Sequence, residues 1–148
     1  MFDIVSDFQM TRGANQTLSG TVANNSALID LKGWEALSVY LATATVTDAG
    51  AATGFTMKLQ HSDTTVGADF VDVPAALTYA RGAVSVVEDT DDNKVLGAIA
   101  YLGDKRYVRA VFTGTAGTDA VVYILAMRGR SSSISRPVPA VGATTAAT

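Results

Sequence analysis

Hydrophobic and polar positions alternate with a period of two along most of the chain. In residues 34–41, Leu37, Val39 and Leu41 share one face. In residues 55–60, Phe55, Met57 and Leu59 oppose Thr56, Lys58 and Gln60, and in residues 106–112, Val108, Ala110 and Phe112 oppose Tyr107, Arg109 and Val111. Successive strand side chains point to opposite faces, so these runs predict half-buried strands of an antiparallel sheet. Shorter β-patterned runs occupy 20–22, 27–31, 70–73, 84–87 and 94–100. The run from Ala120 to Met127 is apolar without alternation, which predicts a central strand covered on both faces. Turn chemistry separates the runs at 47–50, 62–63, 91–93, 103–104 and 113–117, and the Gly114 to Gly117 stretch reads as a hairpin loop. No capped run of helical period stands out, and only a short helical turn is expected near 74–77. About eight short strands spaced in this way predict an all-β antiparallel sandwich, jelly-roll-like, with extended N- and C-terminal segments.

A chain of 148 residues suits one domain. The pattern divides it into an N-terminal arm over 1–16, a sandwich over 17–129 and a C-terminal tail over 130–148. From Gly129 the sequence turns small, polar and proline-bearing, with Pro137 and Pro139 favouring an extended course. Two readings stay open for that tail: a disordered end, or an arm that orders against a neighbouring subunit. With no cysteine, disulfides and thiolate metal sites are excluded. Net charge is −3 and pI about 4.9, with no basic stripe to neutralise phosphates, so nucleic-acid binding is not expected. Ala120 to Met127, at eight residues, is the longest strongly apolar stretch, against about 20 for a membrane helix. The N-terminus carries acids where a signal peptide needs basic residues, so a soluble chain without an export signal is expected. The mean hydropathy of +0.24 is high for a small soluble protein and fits burial of further surface in an assembly, with a lean β-core as the alternative.

Candidate chemistry is sparse. The single histidine, His61, lies in phase with the apolar face of its run, while Ser62 and Asp63 alternate away from one another. No G-x-S-x-G elbow accompanies them. His61 is therefore expected to be a packed strand-end residue, no enzyme activity is expected, and no cofactor is implied. Glu88, Asp89, Asp91 and Asp92 form an acidic cluster. It reads as a solvated loop, with a cation site as the alternative, although the calcium-loop pattern is missing. Trp34 and Tyr40 read as packing residues, or, if exposed, as a carbohydrate-stacking platform.

Four ordered motifs point further. Leu28-Ile29-Asp30-Leu31-Lys32-Gly33-Trp34-Glu35 has a "DL-x-G-aromatic" form, and Leu59-Gln60-His61-Ser62-Asp63 followed by Phe70-Val71-Asp72-Val73-Pro74 has a "Q-x-S-D … aromatic-x-D-V" form. Tyr101-Leu102-Gly103-Asp104-Lys105-Arg106-Tyr107-Val108-Arg109 has a "Y-x-G-x-K-R-Y-x-R" form, and Met127-Arg128-Gly129 precedes Arg136-Pro137-Val138. In this order, across residues 28–139, the chain resembles small structural proteins of tailed bacteriophages, of the head decoration or capsid cement type. It departs from them at 63–67, where such proteins more often show a second acid and a glycine.

The resemblance implies a virion protein on the capsid exterior, assembled in the host cytoplasm. Its implied partner is the major capsid protein, and its implied state is a homo-oligomer, a trimer favoured. A tail or neck component is the runner-up, and a carbohydrate-binding module of a host-attachment device the next alternative. On this reading the Tyr101–Arg109 segment is a structural hairpin, with Gly103-Asp104 making a tight turn, Tyr107 packing, and Arg106 or Arg109 pairing with acids on adjacent strands. Capsid contact is expected at the chain ends: Phe2 and Ile4 as apolar anchors, Arg128, Arg130 and Arg136 as polar partners, with Pro137 and Pro139 beside them.

Overall fold

The computed structural model describes residues 7–48, 54–82, 84–86 and 89–131. Twelve strands form among the described residues: β1 Phe8–Arg12, β2 Gln16–Ser19, β3 Asn24–Asn25, β4 Ile29–Asp30, β5 Trp34–Asp48, β6 Phe55–Ser62, β7 Val71–Asp72, β8 Thr78–Gly82, β9 Ser85–Val86, β10 Val95–Tyr101, β11 Tyr107–Gly114 and β12 Asp119–Ser131. The first sheet runs β1-β12-β5-β10-β8, with β2 beside β12; the second runs β3-β11-β6-β7, with β4 beside β11 and β9 beside β6. All pairings are antiparallel. The count exceeds eight because three rows are broken into pairs of short strands, β1 with β2, β3 with β4, and β7 with β9, and because β8 is an additional strand. Joined end to end, these rows place β1/β2-β12-β5-β10 over β3/β4-β11-β6-β7/β9. That is the strand order of a jelly roll, extended by the edge strand β8.

No two long strands that follow one another in sequence pair with each other. β5, β10 and β12 lie in the first sheet while β6 and β11 lie in the second, so the connections at 102–106 and 115–118 cross between sheets. The hairpins expected at both places are therefore corrected to inter-sheet crossings. Local turn chemistry marks where the chain turns, not which sheet the next strand joins. The short helical turn near 74–77 is present as a 3-10 turn at Ala75–Leu77.

Alternation does set the core. Leu37, Val39 and Leu41 of β5 face Phe55, Met57 and Leu59 of β6 and Val108, Ala110 and Phe112 of β11 across the sandwich, joined by Val122 and Ile124. The Phe55 and Phe112 rings meet edge to face, 6.3 Å apart at 76°, the favoured aromatic geometry. β12 is central as expected, but within 120–127 only Ala120, Val122, Ile124 and Ala126 are buried. Its other face, Val121, Tyr123, Leu125 and Met127, is only half covered, so the expected two-sided burial is corrected to one side.

The chain ends also differ from expectation. Within the expected arm over 1–16, β1 is an edge strand registered on β12 from Phe8 opposite Gly129 to Arg12 opposite Leu125. At the other end, β12 continues to Ser131, two residues past the expected domain limit at 129. Among the described residues no helix is long and apolar enough to cross a membrane.

Candidate functional site

The motif residues, far apart in sequence, meet at one end of the sandwich. Asp30, closing β4, accepts both Arg106 Nε at 3.0 Å and Nη2 at 2.8 Å, and also the Lys32 amide at 2.8 Å. The turn that follows brings the Trp34 amide to the Leu31 carbonyl at 2.9 Å. It needs φ of +80° at Gly33, a conformation glycine adopts without the steric cost of a Cβ. Asp63 meets Lys105 at 2.6 Å. Gln60 Oε1 accepts Arg109 Nε at 3.0 Å and Nη2 at 2.7 Å, and Gln60 Nε2 donates to Asp72 at 2.8 Å. The Arg109 guanidinium lies 4.4 Å above the Phe70 ring. Of the two arginines expected to find acids, Arg106 does, and Arg109 finds a glutamine and an aromatic face instead.

Tyr101 organises this end. It closes β10 in the first sheet, yet its hydroxyl lies 2.9 Å from Nδ1 of His61 on β6 in the second. The same oxygen accepts the Lys105 amide at 3.0 Å, tying the crossing segment down. Any Cβ at Gly103 would collide with the Tyr101 hydroxyl, so the glycine answers to close approach and not to a tight turn. His61 is buried and edge-on to Tyr101, with centroids 5.7 Å apart; it is packed as expected of a strand-end histidine. Burial pushes the Tyr101 phenol above its ordinary value, against the opposing pull of the Lys105 amide.

The hydrogen bonds from Arg106 hold the Asp30 carboxyl down at about 2, against the ordinary 3.8. A depressed carboxylate contributes stability that is present above the unfolded pKa and is lost as pH falls through the folded one. Both side chains are more than 40% exposed, so solvent screening limits the pair to roughly 0.2–1 kcal/mol. Arg106→Gln should return the Asp30 titration toward 3.8, read by carboxylate NMR. A titration still centred near 2 would remove Arg106 as the cause.

The remaining sequence candidates fall as follows. Arg128 lies in the core phase of β12. Its Nη1 donates to the Asp30 carbonyl at 2.9 Å, its Nη2 to Gln9 Oε1, and its guanidinium sits 5.3 Å from the Trp34 ring centroid. It is thus engaged within the chain, and it covers a face of Trp34 that a sugar would need. Arg130 is exposed and pairs with Glu35 at 3.3 Å. Phe2, Ile4, Arg136, Pro137 and Pro139 lie outside the described residues, as does Glu88 of the acidic cluster. Asp91 pairs with Lys94 at 3.2 Å, and Asp92 accepts the Val46 amide. The Asp91 carbonyl accepts the buried Thr43 hydroxyl. These acids fasten their loop to the irregular stretch of β5. Among the described residues no group of three or more acids and histidines is arranged to hold a metal ion.

The two outer faces contrast sharply in chemistry. On the second sheet, Thr56, Lys58 and Gln60 lie beside Arg109 and Thr113, and Lys58 is paired with Asp72 at 2.7 Å. On the first sheet, the registers align Met10, Met127, Ser38, Ala100 and Tyr79 in one row across five strands. The next row is Arg12, Leu125, Tyr40, Ala98 and Arg81. Met10 is 61% and Tyr79 66% exposed. This surface was legible only as the missing alternation in β12, which also fits two-sided burial. No protein-family model matches the chain, and no curated protein matches it.

Proposed function

We propose that this chain is a non-enzymatic structural subunit of a tailed-phage particle, a capsid cement or decoration protein that stabilises the major capsid lattice. It acts from the capsid exterior as a homo-oligomer, a trimer favoured, because closed symmetry satisfies every copy equally. The observation that carries this reading is the one-sided surface of the sandwich. A subunit lying on a lattice has one face turned to protein and one to water, and here the outer face of the first sheet is mostly apolar between two edge arginines, while that of the second carries Thr56, Lys58, Gln60, Arg109 and Thr113 with Lys58 paired to Asp72. The motifs behind the phage resemblance support it differently: they become the hydrogen-bonded end around Tyr101 and Asp30, a structural signature and not a reaction centre.

The test is to add purified chain to particles assembled without it. Binding at many copies per head is expected, with a higher particle melting temperature, since a ligand that binds only the assembled lattice stabilises it by mass action. A few copies at one vertex would favour a tail or neck component. Absence of both binding and thermal shift would sink the virion reading. A carbohydrate module has one feature in its favour, Tyr40 and Tyr79 flanking the small residues Ala98 and Ala100 on the first sheet. It predicts glycan affinity that Tyr79→Ala abolishes.

A further inference from the structure

We infer that the outer face of the first sheet docks onto a different protein, one whose surface presents apolar side chains bordered by carboxylates, and not onto a second copy of this chain. The inference rests on the lattice-bound reading above and names the chemistry of the partner. Five strands spaced about 4.8 Å apart and some eight residues of β12 at about 3.4 Å each span roughly 19 by 27 Å, about 500 Å² in projection. Accessible area exceeds projected area, so the face is of the order of the roughly 800 Å² that one side of a standard interface buries. Solitary exposed apolar residues need no explanation, but a largely apolar face of several hundred Å² is often an interaction site.

Charge selects the occupant. Among the two central rows the charged residues are Arg12 and Arg81, at opposite ends of one row and four strand spacings apart. Neither has a carboxylate partner among the described residues: Arg12 bonds the Asn15 amide oxygen at 2.6 Å and stacks 4.2 Å over Tyr123, and Arg81 is exposed. Burying them unpaired costs free energy, so the covering surface has to bring acids. A second copy centred on these two rows brings none, because neither row holds a carboxylate. A two-fold axis along the strands through the centre of the face sets each Arg12 opposite Arg81 of the other copy, and one along the row sets like against like. Both leave four cations facing one another, so a symmetric dimer centred on this face is disfavoured and a partner of complementary charge is the better occupant.

The full chain is tested in two arms. In the first, binding to particles assembled without it is measured for Met10→Glu, Tyr79→Glu and the double Arg12→Glu/Arg81→Glu, against Thr56→Glu and Val71→Glu on the second sheet. Each variant is first checked for an unchanged melting temperature. At least tenfold weaker binding is expected for the first group and wild-type binding for the second. The reverse pattern overturns the face assignment while leaving the virion reading intact. In the second arm no particle is needed. Amide NMR shifts of the chain are mapped with decanoate and with decyltrimethylammonium, both below micelle formation. Shifts concentrated on the first-sheet rows, larger with the carboxylate, support the inference even if the virion reading fails. Shifts elsewhere, or a preference for the cationic probe, overturn it. So does an oligomer in solution that dissociates in Met10→Glu or Tyr79→Glu, which would make the occupant a second copy.

Discussion

Phe112→Ala should lower the unfolding free energy by about 3–5 kcal/mol, the range for emptying a buried aromatic site. Phe112 is fully buried on β11, packed edge to face against Phe55 at the middle of the second sheet. The sandwich is stiff there because both neighbouring strands, β3 and β6, are registered on Phe112 through Asn24 and Met57. Collapse around the cavity would have to move the backbone of both. In a chain of this size the loss corresponds to a melting temperature lower by roughly 6–20 °C. Thr113→Ala, one residue along and on the outer face, should stay within about 0.5 kcal/mol. Urea titration of the pair decides it: equal effects at 112 and 113 would mean that alternation does not define the core.

Tyr101→Phe carries the second large effect, about 1–3 kcal/mol, because it leaves the Lys105 amide and His61 Nδ1 without their partner. No ring volume is lost, so the cost is polar and not a cavity. The same hydroxyl adds a pH dependence. Its raised pKa means the folded state holds the phenolic proton more tightly than the unfolded chain. That stability is intact below the ordinary value of 10.0 and is lost as pH rises beyond it. Tyr101→Phe should therefore flatten the alkaline loss as well as lower the plateau at neutral pH. A plateau unchanged from wild type, measured by urea unfolding at pH 7, would show that the hydroxyl does not hold the crossing segment.

Neither prediction is equally visible from the sequence. Phe112 announces itself by spacing alone, since a strand with one face buried repeats every second residue. Tyr101 does not. Its partners sit 40 and 4 residues away, and the nearer one looks like the far arm of a hairpin until β10 and β11 are assigned to different sheets. The clasp between Asp30 and Arg106 spans 76 positions. The motifs that carry the resemblance were thus readable as motifs, but their reason for occurring together is a set of contacts between strands that are not neighbours in the chain. Arg128 makes the same point from the other side. Its place near a polar tail suggests an external contact, whereas its phase on β12 turns it inward to the Asp30 carbonyl.

What the sequence determines by itself is local and periodic: that the chain is built from strands, which residues of the long strands face the core, where the chain turns, and that no cysteine chemistry exists. These follow from side-chain direction, which is set within two or three residues. Tertiary structure alone decides what depends on strand partners. It makes β1 an edge strand, although all five of its side chains are exposed, because its backbone pairs with β12 and Gln9 and Arg12 reach Arg128 and Tyr123 on that strand. It sends 102–106 from one sheet to the other. It also decides that the apolar run of β12 has one face in the core and one toward solvent, since among the described residues no further layer covers the outer face of the first sheet, and it aligns that face with four other strands into a single surface.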